Sequence, residues 1–138
     1  ALSPGKMEQK AMLCASLGLK TVGLWTGANI DAAYLQALGN ACRTARTYER
    51  YYLDGKRDDQ SFQVTTPLPQ KSAWTVWREP KGQRLLTLFN FTPAPQEFTV
   101  VSPGDTQKLR DQHGREYQGR TNKVIIPANA YILLETKN

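Results

Sequence analysis

Residues Leu85–Gly104 read LLTLFNFTPAPQEFTVVSPG, and this stretch decides the fold. Two short apolar runs rich in β-branched and aromatic residues flank the Pro93-Ala94-Pro95 turn, which is the pattern of two strands joined by a tight connection. The stretch Lys108–Glu135, KLRDQHGREYQGRTNKVIIPANAYILLE, repeats the theme almost at once. A hydrophobic period of two places alternate side chains on opposite faces of a sheet.

From Ser61 onward the whole chain follows this period. Strands are expected near 61–66, 72–79, 84–91, 96–101, 106–111, 115–118, 122–127 and 130–136. Prolines and glycines punctuate them: Pro67 with Pro69, Pro80 with Gly82, Pro93 with Pro95, Pro103 with Gly104, Gly114 and Gly119. Short strands with turns this dense predict an antiparallel sandwich. Asp111 and Gly114 suit a hairpin turn. Pro127 lies where a missing N–H is tolerated. The last strand should turn Ala130, Ile132 and Leu134 inward. Trp74 and Trp77 are three apart, so one strand must send them to opposite faces.

The first part of the chain has another rhythm. A helix should start at Ser3, with Pro4 in its first turn, and stop at Gly18. Met7, Ala11, Cys14 and Ala15 form its apolar stripe, widened by Leu13 and Leu17. LKTVGLW, ending at Trp25, predicts a short strand buried on both faces. A long helix follows, capped by Asn29 or Asp31 and ended by Gly55. Tyr34, Leu38, Ala41, Ala45, Tyr48 and Tyr52 recur at helical spacing. DGKRDDQ is a charged turn and the expected boundary. The fold class is therefore α+β: a helix–strand–helix segment over 1–58, then a β-sandwich of about six to eight strands over 59–138.

The 138 residues carry 18 Lys and Arg against 12 acids, a net charge of +6. Residues 1–60 hold eight basic and six acidic side chains, and 61–138 hold ten and six, so the excess is dispersed. Nucleic-acid binders cluster their basic residues, so no nucleic-acid partner is expected. No apolar run is long enough to span a membrane, and no membrane partner is expected either. The chain opens ALSPGKMEQK, without an initiator Met or a signal-peptide profile. It is expected to be processed or to be part of something longer. Cys14 and Cys42 lie on predicted helices; free buried thiols are the default, and pairing is not legible from sequence. Two Cys and the single His113 make no metal set, so neither metal nor cofactor is expected.

The C-terminal pattern resembles a known family. RLLTLFNFTPAPQEFTVV is similar to the strand–Asn-Phe-Thr–turn–strand hairpin in the C-terminal β domain of barrel glycoside hydrolases of the α-amylase-like type. Leu109, Asp111, Gly114, Tyr117, Gly119, Ile126, Pro127, Ala128, Tyr131, Leu133, Leu134 and Glu135 fill the outline with which those domains close. Ala130 departs from it, where Gly is common. AMLCASLGLKTVGLWTGANIDAAYLQALGNACRTARTYERYYLDGKR resembles the last β/α unit of such a barrel.

The resemblance implies a noncatalytic C-terminal region that steadies a catalytic barrel and contributes to carbohydrate binding. Its partners would be the remainder of its own barrel and an oligo- or polysaccharide. Glycosidases need two carboxylates across the scissile bond, and barrel enzymes gather them from several strand ends. Only one such end, GLWTGAN, lies in this chain, and its Asp31 is better placed as a helix cap. No catalytic residue is assigned. Trp25, Asn29 and Trp77 are the candidates for sugar contact, with core packing the alternative for each Trp. Glycosidases of this type are often exported, to the periplasm or out of the cell, but the compartment of this chain is left open. Two other readings compete: an autonomous carbohydrate-binding module, and a binder of nucleic acid or another acidic partner.

Overall fold

The computed structural model describes residues 3–19, 31–104, 106 and 108–137. Among them are three helices, α1 (Pro4–Ser16), α2 (Ala32–Thr47) and α3 (Glu49–Asp54). Nine strands follow: β1 (Lys56–Arg57), β2 (Gln63–Thr65), β3 (Ser72–Arg78), β4 (Arg84–Asn90), β5 (Gln96–Val101), β6 (Lys108–Asp111), β7 (Glu116–Gln118), β8 (Thr121–Ile126) and β9 (Tyr131–Lys137). All described pairings are antiparallel. One sheet has the order β1-β3-β4-β9-β6-β7, the other β2-β5-β8. The expected α+β class with a β-sandwich is what forms. The strand predicted at LKTVGLW lies outside the described residues.

Two cores result. Between the sheets pack Val76, Leu86, Leu88, Phe98, Ile132 and Leu134, among others. Between the larger sheet and the helices pack Met12, Ala41, Tyr51, Trp77, Phe89 and Leu133. The larger sheet is thus covered on both faces, which is why β4 and β9 read as nearly continuous apolar runs. Each Leu or Phe so buried contributes about 1.5–3 kcal/mol.

The helix ends follow their sequence signals. Ser3 Oγ accepts from Lys6 N–H at 3.3 Å, and Asp31 Oδ1 accepts from Tyr34 N–H at 3.1 Å. At the end of α1, Gly18 N–H donates to Ala15 O and Leu19 N–H to Cys14 O, with Gly18 at φ +87°. This closure needs a left-handed residue, and glycine takes that conformation at least cost. Gly55 is required for space: a Cβ there would stand 2.3 Å from Tyr51 O.

Several expectations shift in detail. The long helix breaks at Tyr48 (φ −110°, ψ 16°), and Tyr51, outside the predicted stripe, becomes fully buried. In α1 the buried side chains include Gln9, Met12 and Ser16, while Leu17 is exposed. The stripe rotates because Gln9 and Ser16 find hydrogen-bond partners inside: Gln9 Nε2 donates to Asn90 O and Ala130 O, and Ser16 Oγ to Leu13 O. Neither thiol is fully buried; Cys14 is half-buried, Cys42 is exposed, and both are free. DGKRDDQ carries β1 and a short 3-10 turn, Asp59–Ser61, rather than a plain turn. Asp59 Oδ1 accepts from Val76 N–H at 2.8 Å and anchors that turn to β3. The charged pair Lys56 and Arg57 suits a sheet edge.

On the helical face of the larger sheet, Thr75 and Thr87 stand directly opposite each other. Their hydroxyls, and that of Tyr52, are buried without a hydrogen-bond partner. Tyr52 Oη senses Thr87, yet hydrogen-bond geometry is not reached. Burial pushes the Tyr52 phenol up to about 12. An isosteric methyl removes an orphan polar group, so Thr87→Val should raise stability by about 1 kcal/mol. Thermal denaturation should then move up by about 3–5 °C. A drop would mean that the hydroxyl is satisfied.

Candidate functional site

Of the three candidates for sugar contact, Trp25 and Asn29 lie outside the described residues. Trp77 is only 9% exposed and sits in the helix–sheet core. Its Nε1–H donates to Ser16 O at 2.7 Å, satisfying a carbonyl at the end of α1. Tyr52 meets its ring edge-on, with centroids 5.7 Å apart. A Cβ on Gly18 would touch the same indole at 3.4 Å. Trp74 lies on the other face, partly buried against the inter-sheet core, as their odd separation predicts.

The carboxylates have definite occupations. Asp31 caps α2. Asp111 Oδ1 accepts from the backbone N–H groups of His113 and Arg115 and so builds the expected hairpin turn. Asp58 pairs with Arg84, and Glu79 accepts from the backbone of the β3–β4 turn. Asp59 is drawn below the usual range: burial opposes this, but Arg57 and the Val76 N–H prevail. Among the described residues no three His, Cys, Asp or Glu side chains converge as metal ligands, and no helix is long and apolar enough to cross a membrane.

Two depressions stand out in the helical layer. The first is an apolar groove of about 440 Å³ between α1 and the α2–α3 pair, lined by Ala11, Ala15, Leu19, Leu38, Cys42 and Leu53 among others. Leu17, Leu19, Leu35 and Leu53 are each at least half exposed, an unusual density of bare leucine for one layer. The second is a polar pocket of about 450 Å³ where α1 and α2 meet the β6–β7 and β8–β9 turns. Glu8 is central to it. Its Oε2 accepts from Tyr131 Oη at 2.7 Å and its Oε1 from Asn40 Nδ2 at 3.3 Å. Burial, then the Glu8 hydrogen bond, hold the Tyr131 hydroxyl well above its ordinary range, so it stays a donor.

This pocket is not legible in one dimension, because Glu8, Asn40 and Arg43 come from helical polar faces that look solvated there. A carboxylate and an amide on facing helices are informative only once the helices are known to pack.

No protein-family model matches the chain, and no curated protein matches it in sequence. Its fold is similar to parts of solved glycoside hydrolases. A protein assigned as an α-galactosidase from Bacteroides fragilis superposes with a TM-score of 0.64 at 10% identity, over 99% of this chain and 29% of that one. α-Galactosidase I from Mortierella vinacea gives 0.60 at 10% identity, over 99% and 36%. A GH27 β-L-arabinopyranosidase from Geobacillus stearothermophilus gives 0.61 at 11%, over 99% and 31%. At these identities the likeness establishes the fold. The chain spans about a third of the length of the enzymes it matches. The expected α-amylase-like type is corrected: the likeness is to α-galactosidase and arabinopyranosidase structures.

Proposed function

We propose that this chain is the C-terminal region of a glycoside hydrolase related to the α-galactosidases, and that it steadies a catalytic barrel lying outside it. On this reading it is noncatalytic, and the acids that cleave the glycosidic bond belong to the rest of the enzyme. The observation that carries the proposal is the apolar groove lined by Leu19 and Leu53, on a helical layer that also leaves Leu17 and Leu35 exposed and is already packed on a sheet by its other side. A helix layer apolar on two sides is suited to lie between two partners. About two thirds of the length of the similar enzymes has no counterpart here, enough to supply the second partner.

Coexpression with the remainder of the same gene product tests this. The two pieces should copurify, and Leu35→Glu with Leu53→Glu should weaken that association at least tenfold. Both leucines are more than half exposed, so the variant chain itself should keep its melting temperature. Unchanged association, or an unrelated fold in the remainder, would refute the proposal.

A further inference from the structure

We propose that the polar pocket between α1, α2 and the β8–β9 turn binds a neutral monosaccharide unit. The pocket shares no lining residue with the apolar groove, so the proposal does not rest on the docking reading.

The chemistry starts with a preformed chain of side chains. Tyr131 donates to Glu8, Asn40 donates to the other Glu8 oxygen, and Arg43 donates to Asn40 Oδ1. Thr44 Oγ1 donates to Asn40 O at 2.9 Å and adds a hydroxyl to the same wall. Each polar head is thereby held in place before any ligand arrives, which lowers the ordering cost of binding. Capacity remains. A carboxylate has about four lone-pair positions, and Glu8 uses two in these contacts. Arg43 has five N–H donors, one of which reaches Asn40.

This wall offers strong acceptors beside strong donors, with opposite charges that cancel. A free anion would face Glu8, and a free cation would face Arg43. The complementary ligand both donates and accepts at neighbouring atoms and carries no charge, as vicinal hydroxyls do. The lining also includes Pro127, Ala128 and Ala130, small apolar groups that fit the C–H face of a pyranose or furanose ring. The volume, about 450 Å³, falls within the range of small-molecule sites.

The apolar wall is itself held under constraint. Asn129 has φ +52°, the one described non-glycine residue with positive φ. Its N–H donates to Thr92 O at 2.9 Å, which fixes the turn that forms this side of the pocket.

A titration of the ¹⁵N-labelled 138-residue chain with neutral hexoses and pentoses to tens of millimolar decides the matter. Glycerol and sodium sulfate serve as controls. At least one sugar should give saturable shifts confined to the amides of Gly5, Asn40, His113, Ala128, Asn129 and Ala130. Arg43→Met, at an exposed helical position, should leave the spectrum otherwise intact and weaken binding about tenfold. Glu8→Gln should do the same. The idea fails if no sugar saturates, if glycerol shifts the same amides equally, if sulfate binds there in preference, or if neither variant changes the response. Copurification with the remainder of the enzyme is indifferent to all of these outcomes.

Discussion

Asn90→Asp is expected to be the most damaging single-atom change in the chain. Asn90 is fully buried at the end of β4. Its Nδ2 donates to Ala94 O at 2.9 Å, Pro127 O at 3.0 Å and Ile126 O at 3.1 Å. Its Oδ1 accepts from Thr92 N–H at 2.9 Å and Thr92 Oγ1–H at 2.7 Å. Its own carbonyl receives Gln9 from α1 at 2.6 Å. One side chain therefore ties the β4–β5 connection to the end of β8, and its backbone brings in the first helix. Aspartate has the same shape but turns an oxygen toward three carbonyl oxygens and buries a charge. The loss should be about 4 kcal/mol or more, a large part of the stability of an ordinary domain. Asn90→Ala should cost less, about 3 kcal/mol, since it leaves acceptors unpaired without adding a charge. The aspartate in the variant should have a raised folded-state pKa. Its penalty is then complete above that value and shrinks as pH falls toward the unfolded value. Urea denaturation at neutral and mildly acidic pH should show the aspartate variant gaining on the alanine variant in acid. Equal midpoints at every pH would remove Asn90 from this role.

Asn90 also marks how far a single sequence carries. Asn-Phe-Thr was legible as the end of a strand before a turn, because Pro93 and Pro95 follow and apolar residues precede it. What the amide does was not, since its three acceptors come from segments 4, 36 and 37 residues away. Local signals fared well for the same reason in reverse. Ser3, Gly18, Asp31 and the Asp111 turn act within a few residues, and each does what its residue type suggests. The strands formed close to where they were expected, and Ile132 and Leu134 face the inter-sheet core as expected, but β4 and β9 are buried on both faces instead of alternating. The helix faces followed less well. Gln9 looks polar and is buried, and Leu35 looks apolar and is exposed. Which stripe a helix buries depends on what lies beneath it, and Asn90 O lies beneath Gln9. Of the candidate site, Trp77 could be assigned to one face of β3 but not to a partner. The end of α1, which takes its N–H, is 61 residues away.

The closing outline was legible to its last residue, Glu135, without revealing that this acid is nearly buried. YILLE is apolar on both faces, and the helices cover the face that carries Tyr131, Leu133 and Glu135. Glu135 Oε2 accepts from Tyr51 Oη at 2.6 Å and pairs with Arg50, while Oε1 meets Lys137 Nζ at 2.9 Å. The Arg50 guanidinium also lies 4.5 Å over the Tyr51 ring. Burial pushes the Glu135 carboxyl up, but the Tyr51 hydroxyl, Lys137 and Arg50 together hold it below its ordinary value. Burial, then Glu135, hold the Tyr51 phenol well above its own, so it remains the donor.

Glu135→Ala should therefore leave the Tyr51 hydroxyl without its acceptor, with only the Arg50 donor at 3.1 Å, and take the shared carboxylate from Arg50 and Lys137, at a cost of about 3 kcal/mol. Arg50 keeps 45% of its side chain in water, so most of that loss belongs to Tyr51 and Lys137 rather than to the Arg50 ion pair. Tyr51→Phe should cost about 1–2 kcal/mol, and Tyr51→Phe with Glu135→Leu should lose less than the sum of the single changes. The pH dependence has a definite sign. The folded-state pKa of Glu135 lies below its unfolded value of about 4.3, so its contribution is complete above that pH. The contribution disappears as pH falls through the folded value. Denaturation midpoints of the parent chain should drop across this acid window more steeply than those of Glu135→Gln. Parallel acid limbs would show that the Glu135 carboxylate does not hold α3 to β9 through its charge, leaving the packing of Tyr51 to do so alone.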